Sequence, residues 1–212
     1  MKRAFPFVML LAAAVLGTAA AAQEAPPSKA SNKAGSKPMS QKAGPGDKQA
    51  MIREALSAAP ADIAKTATVK DWDGKVLKQG NGAYTCYPTP PMQQKIGKEP
   101  MCLDQVWQAW GEAWMNKKDF KADKVGVAYM LEGDTGASNT DPYATAPTKD
   151  NQWVVSGPHT MVVLPNPADL DSISTDPNNG GPFVMWKGTP YVHIMVPVGK
   201  GPGHGAGKEM SH

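Results

Sequence analysis

Apolar and polar positions alternate along this chain with two different periods, and the periods divide it into elements. In "DKQAMIREALSAAP" the residues Met51, Ile52, Ala55, Leu56 and Ala59 fall on one helical face, and Pro60 ends the pattern. "ATVKDWDGKVLKQG" reads as a hairpin, with Asp73-Gly74 supplying the positive φ angles of a tight primed turn. "AYTCYP" is a further short strand. The strongest helix is "EPMCLDQVWQAWGEAWMNKK". There Leu103, Trp107, Trp110 and Trp114 form one stripe at i, i+4, i+7 and i+11. Such a stripe is expected in the core. Lys117 and Lys118 suit the negative end of the helix dipole, and Gly111 predicts close approach by a neighbour.

Beyond residue 120 the period is that of strands. "KVGVAYMLEG", "NQWVVSGPHTMVVLP", "PFVMWKG" and "PYVHIMVPV" carry β-branched and aromatic runs bounded by Gly and Pro. "NPADLDS" suits one helical turn, and "MWKGTPYV" predicts that the last two strands form a hairpin. The expected class is α+β: a single domain with a mainly antiparallel β-sheet and the Trp-rich helix packed on one face.

The ends of the chain give an address. Lys2 and Arg3 precede the apolar run Phe7 to Leu16, and Ala20 and Ala22 give a small-x-small pattern, so residues 1–22 read as a signal peptide. No Cys near that site offers a lipid anchor, and no later stretch is apolar enough to span a bilayer, so no stable membrane insertion is expected after cleavage. Residues 23–47 are a basic linker poor in apolar groups and residues 199–212 a Gly-rich tail, both expected to be disordered, leaving a domain over 48–198. The expected location is periplasmic or secreted. An oxidising compartment favours joining Cys86 to Cys102, closing a loop worth roughly 3 kcal/mol in the chain-entropy model. The chain is +3 overall, but residues 51–212 hold 15 basic against 17 acidic side chains. A slightly acidic domain has no electrostatic footprint for nucleic acid.

The run from "TVKDWDG" through "MCLDQVW", "AWMNKK" and "GASNTDPYA" to "GGPFVMWKGTPYVHIMVPV" resembles a family of exported bacterial proteins of unknown function, over most of residues 60–198. The resemblance implies the same domain limits and an exported address. It implies no activity, cofactor or catalytic residue.

The most distinctive candidate chemistry is a repeated His-x-Met. His159 and Met161 share one face of their strand, as His193 and Met195 share one face of theirs. Imidazole and thioether donors suit Cu(I). Antiparallel neighbours pairing His159 with Met195 and Met161 with His193 would gather four donors, with Met130 and Met185 in reserve. Periplasmic copper chaperones of the His/Met type use a similar element, but their further upstream Met and His spacing is not met here. The alternative places Met as core filler and His as hydrogen-bonded structure. In "LEGDTGASNTDPYATAP", Asp134, Ser138, Asn139, Thr140 and Asp141 offer oxygens to a polar ligand or Ca²⁺, against the plainer expectation of self-capped Asx turns. Asp176 with Asn178-Asn179-Gly180-Gly181 reads as turn chemistry. The chain contains no nucleophile elbow, phosphate-binding Gly loop, His-Glu-x-x-His or dinucleotide fingerprint. The expected function is therefore an exported, non-enzymatic binding protein. Its rivals are a hydrolase-like enzyme using His159 or His193 with Asp141, and an interaction module without a small-molecule ligand. An open pocket at the histidines favours a ligand or enzyme site, and a sealed one favours structure.

Overall fold

A computed structural model of the chain describes residues 45–199. The expectations for the leader, for most of the linker and for the tail beyond residue 199 fall outside the described residues. Helix α1 (Pro45–Ser57) begins three residues inside the stretch that composition assigned to the linker. Its buried face is Ile52 and Ala55, continued by Ala58 and Ala59. A second helix, α2 (Ala61–Thr66), follows Pro60 directly. At six residues it is too short to leave a periodic signature, but Asp62 in its first turn and Lys65 in its last complement the helix dipole.

Strands β1 (Thr68–Lys70) and β2 (Val76–Lys78) form the expected hairpin. Its turn differs from the expected primed type. Gly74 alone adopts positive φ (81°), its N–H bonding to Asp71 O at 3.1 Å. The Asp71 carboxylate accepts from the Asp73 and Lys75 N–H groups, fixing the turn from inside.

Strands β3 (Thr85–Tyr87) and β4 (Met101–Leu103) place Cys86 directly opposite Cys102, and the two are disulfide-bonded. Leu103 therefore lies in β4 and not on the Trp helix. That helix, α3, runs Gln105–Met115. It starts where Asp104 accepts from Trp107 N–H at 2.8 Å, while its second carboxylate oxygen accepts from Val127 N–H at 2.7 Å. It ends at Asn116, and Lys117 turns the chain away at φ 53°.

After α3 come β5 (Gly126–Met130), β6 (Ala137–Ser138), β7 (Trp153–Val154), β8 (His159–Val163), a 3₁₀ turn (Pro167–Leu170), β9 (Phe183–Met185) and β10 (His193–Pro197). The main sheet is ordered β2-β1-β3-β4-β5-β8-β10-β9, and β6 and β7 form a separate ribbon. All pairings are antiparallel except β1 with β3. β9 and β10 form the expected terminal hairpin.

Helices cover both faces of this sheet, where the sequence led us to expect one. On β4, Met101 and Leu103 pack with α3, while Cys102 between them joins the cluster of α1. Strand alternation makes these opposite faces. The predicted Trp core is present: Trp107 and Trp110 are buried and Trp114 is partly so. The close approach expected at Gly111 is absent, since a Cβ there meets nothing within 4 Å. It occurs at Gly126 instead, where a Cβ would lie 2.7 Å from Val106 Cβ and 2.8 Å from Val163 Cγ1. Helix α3 can rest on β5 because that position carries no side chain.

Candidate functional site

The two His-x-Met strands are neighbours, as the Cu(I) expectation required, but in a different register. β8 and β10 pair so that Met161 faces Met195, and His159 faces Pro197. The outer pairings complete a pattern: Met130 of β5 faces His159, and Met185 of β9 faces His193. Four thioethers and two imidazoles thus share the sheet face beneath α3. The expected pairing of each His with the other strand's Met does not occur. Each His lies instead diagonal to that Met, and diagonal neighbours on one face are about 7–8 Å apart.

Both histidines are sealed in. His159 is 1% exposed and His193 2%. Each is held by the backbone two residues before it. His159 Nδ1 lies 2.7 Å from Gly157 O, and His193 Nδ1 lies 2.9 Å from Tyr191 O. A carbonyl only accepts, so Nδ1 carries the proton in both rings and Nε2 keeps its lone pair in the neutral form.

His193 stands at the centre of an aromatic cluster. Its ring meets Trp107, Trp110 and Trp186 edge-on, with centroids 5.2–5.6 Å away. The indoles of Trp110 and Trp186 are parallel to within 6°, and Trp114 and Tyr143 continue the stack outward. Tyr191 O–H donates to Lys118 O, and Tyr143 O–H donates to Tyr191 Oη at 2.9 Å. Burial pushes the His193 imidazole down to about 4, assisted by His159 and opposed by the Tyr191 carbonyl. The ring is therefore neutral at physiological pH. The indole N–H groups of Trp107 and Trp110 are buried with no hydrogen-bond partner among the described residues.

Trp186 occupies left-handed backbone at φ 56°, a costly conformation for a bulky residue. It is held from the polar loop, where Ser138 O accepts its indole N–H at 2.6 Å and Asn139 O its backbone N–H at 2.9 Å. Most polar groups of that loop are engaged in structure, while Asn139 Oδ1 is buried with no hydrogen-bond partner among the described residues. Ser138 donates to Asn151 O and accepts from Asp141 N–H, and Asn139 donates to Gln152 and to Thr175 O. Both are buried. Asp134 accepts from Gly136 and Ser156 N–H groups, and the exposed Asp141 from Tyr143 N–H. The bonds from Gly136 to Asp134, from Asp141 to Ser138 and from Tyr143 to Asp141 are local and turn-closing, as the plainer expectation had it, whereas those involving Asn151, Gln152, Ser156 and Thr175 tie the loop to distant segments.

One residue near His159 carried no sequence signal. Glu99 approaches from the chain just before β4, accepting from Thr135 through both its hydroxyl and its N–H. Burial pushes its carboxyl above the ordinary value, with Asp134 adding, while the Thr135 bonds and His159 pull the other way. Glu99 stands alone between Lys98 and Pro100 in sequence, and only the fold shows its surroundings.

Two clefts lie elsewhere. One of about 380 Å³ is bounded by Gln152, Trp153, Thr175 and Asn178. Another of about 310 Å³ lies between the 3₁₀ turn and Lys187–Thr189. Neither contains His159, His193, the four methionines, Asp134 or Asp141, but Asp176 and Asn178, singled out in the sequence as turn chemistry, line the first. Among the described residues no three His, Cys, Asp or Glu side chains are grouped to hold a metal ion, and no helix is long and apolar enough to cross a membrane. No protein-family model, curated protein or solved structure matches the chain.

Proposed function

We propose that the protein is an exported, non-enzymatic binding module of the bacterial envelope that acts through its surface. The observation carrying this reading is the sealing of its chemistry-bearing side chains. His159, His193, Met161, Met195, Ser138 and Asn139 are all buried, and the clefts are lined by other residues. A general acid or base has to reach its substrate within hydrogen-bond distance. A neutral histidine walled in by three indoles is a poor candidate for that role. The resemblance to exported bacterial proteins, the leader pattern and the Cys86–Cys102 disulfide support an oxidising, extracytoplasmic address. Native mass spectrometry of protein recovered from the exported fraction tests the reading. The expected species begins at Gln23, lacks two hydrogens for the disulfide, and carries no stoichiometric small molecule. A chain retaining Met1, or one bearing a stoichiometric organic ligand, would overturn it.

A second reading, Cu(I) binding, is favoured by one observation: Met130, Met161, Met185 and Met195 share a face with two histidines whose Nδ1 atoms are already held by carbonyls. Holding the distal nitrogen in this way is how metal-ligating imidazoles are oriented. Met161→Leu with Met195→Leu keeps the volume and removes the sulfur donors. Loss of affinity in competition with a Cu(I) chelator would support copper, and equal affinity would make the methionines packing alone.

A further inference from the structure

The loop closed by the disulfide is built differently from the rest of the surface. Its root is buried and braced. Pro88, Thr89 and Pro100 are almost fully enclosed. Thr89 donates to the Glu54 carboxylate and accepts from Glu99 N–H at 2.7 Å. Trp72 donates to Pro88 O at 2.7 Å while resting on Tyr87. The tip is the reverse. Met92 is 84% exposed and Ile96 72%, the two most exposed large apolar side chains among the described residues. They lie four residues apart on two successive turns whose N–H groups at Gln93, Gln94, Ile96 and Gly97 bond within the tip.

The exposed charges within the disulfide loop have one sign. Between Cys86 and Cys102 the charged residues are Lys95, Lys98 and Glu99, and Glu99 is turned inward onto Thr135. Lys95 and Lys98 flank Ile96 and are exposed. Over residues 68–98 five lysines face two aspartates, in a domain that is otherwise acidic. Trp72, 37% exposed, stands at the root.

We propose that this loop is a docking tip for an anionic lipid bilayer: Met92 and Ile96 enter the interface while Lys95 and Lys98 meet the headgroup phosphates. The proposal rests on the reading that the protein acts through its surface, and it names the partner. Three features favour a lipid surface over a protein groove. A convex apolar tip needs a partner that deforms around it. Its turns satisfy four of their own N–H groups, which suits a medium poor in water. Apolar side chains backed by lysines, with a Trp at the root, match the layering of an interface from acyl chain to headgroup. A root fixed by the disulfide also presents the tip with little ordering left to do.

The test uses the full exported chain with phosphatidylcholine vesicles, with and without 30% phosphatidylglycerol, in a sedimentation assay. Lysines in residues 23–50 attract anionic vesicles by themselves, so the tip variants carry the readout. Met92→Ser with Ile96→Ser is expected to lower partition onto the anionic vesicles at least tenfold at unchanged charge. Lys95→Gln with Lys98→Gln is expected to lower it roughly tenfold and to flatten its salt dependence. Neither variant should move the melting temperature, because all four side chains are exposed. Equal partition of parent and Ser variant overturns the proposal, as does a parent that ignores phosphatidylglycerol. A Ser variant that loses self-association while partitioning normally also overturns it, by assigning the tip to a second copy of the chain. A buried organic ligand found by native mass spectrometry would overturn the surface reading and leave the partition result standing.

Discussion

Acidification is expected to destabilise the protein through His193. The imidazole has a value of about 4 in the folded protein and about 6.5 in the unfolded chain. Between these values the unfolded chain binds the proton and the native ring does not, so stability falls as pH drops from 6.5 towards 4 and levels below. At about 1.4 kcal/mol per tenfold, the whole interval amounts to about 3 kcal/mol, and about 2 kcal/mol is already lost at pH 5. No carboxylate stands against the ring to offset this: Trp107 and Trp110 of α3, Trp186, and the Tyr191 carbonyl surround it. Glu99 acts in the opposite direction. Its raised carboxyl is relieved by protonation, so it partly masks the loss. The assay is therefore differential: urea unfolding of the parent and of His193→Phe at pH 7, 6, 5 and 4.5. Phe keeps a ring among the indoles and removes the titrating group. It also strands the Tyr191 carbonyl, at a cost that does not change with pH. The parent should lose about 2 kcal/mol more than the variant between pH 7 and pH 5. Parallel loss in the two proteins would refute the argument.

Two further outcomes follow from the packing. Gly111→Ala should raise stability by up to about 1 kcal/mol, because its Cβ has open space in a helix, whereas Gly126→Ala should cost about 1–3 kcal/mol by pushing α3 off β5; thermal unfolding of both variants checks the pair. The native protein should show no free thiol without reductant, and Cys86→Ala with Cys102→Ala should lose roughly 3 kcal/mol in denaturant titration.

How much of this was legible depends on the range of each signal. The Trp stripe needs only local spacing, and α3 is where it was expected. Leu103 fits that stripe at i–4 from Trp107, yet Asp104 caps the helix and leaves Leu103 in β4. The spacing alone could not tell a helical neighbour from the last residue of an abutting strand. The His-x-Met faces were legible because strand alternation has period two. Their register was not: sliding one strand by two residues keeps every side chain on its face. The slide converts His–Met pairing into the Met161–Met195 pairing observed. The parallel β1–β3 contact and the placement of helices on both faces arise from long-range packing that no short window records. Glu99 was missed for the same reason, since Thr135 and His159 reach it from distant parts of the chain.

The join between β4 and β5 bears on how the molecule opens. These central strands meet only through Cys102–Tyr129 and Leu103–Ala128, whereas β5, β8 and β10 pair over longer runs. The apolar cluster of α1 packs mainly on β1 to β4, tied internally by the disulfide, and that of α3 mainly on β5 to β10, with Met101 and Leu103 of β4 reaching the α3 cluster and Tyr129 of β5 the α1 cluster. The Asp104 carboxylate, bonded at once to the first turn of α3 and to Val127 of β5, bridges this line. A two-pair ladder at the centre of the sheet, crossed by only a few packed side chains, is a natural place for sub-global opening to start. Amide protons of β8 and β10 then exchange last, and Asp104 joins Met101, Leu103 and Tyr129 in coupling the two sides of the join.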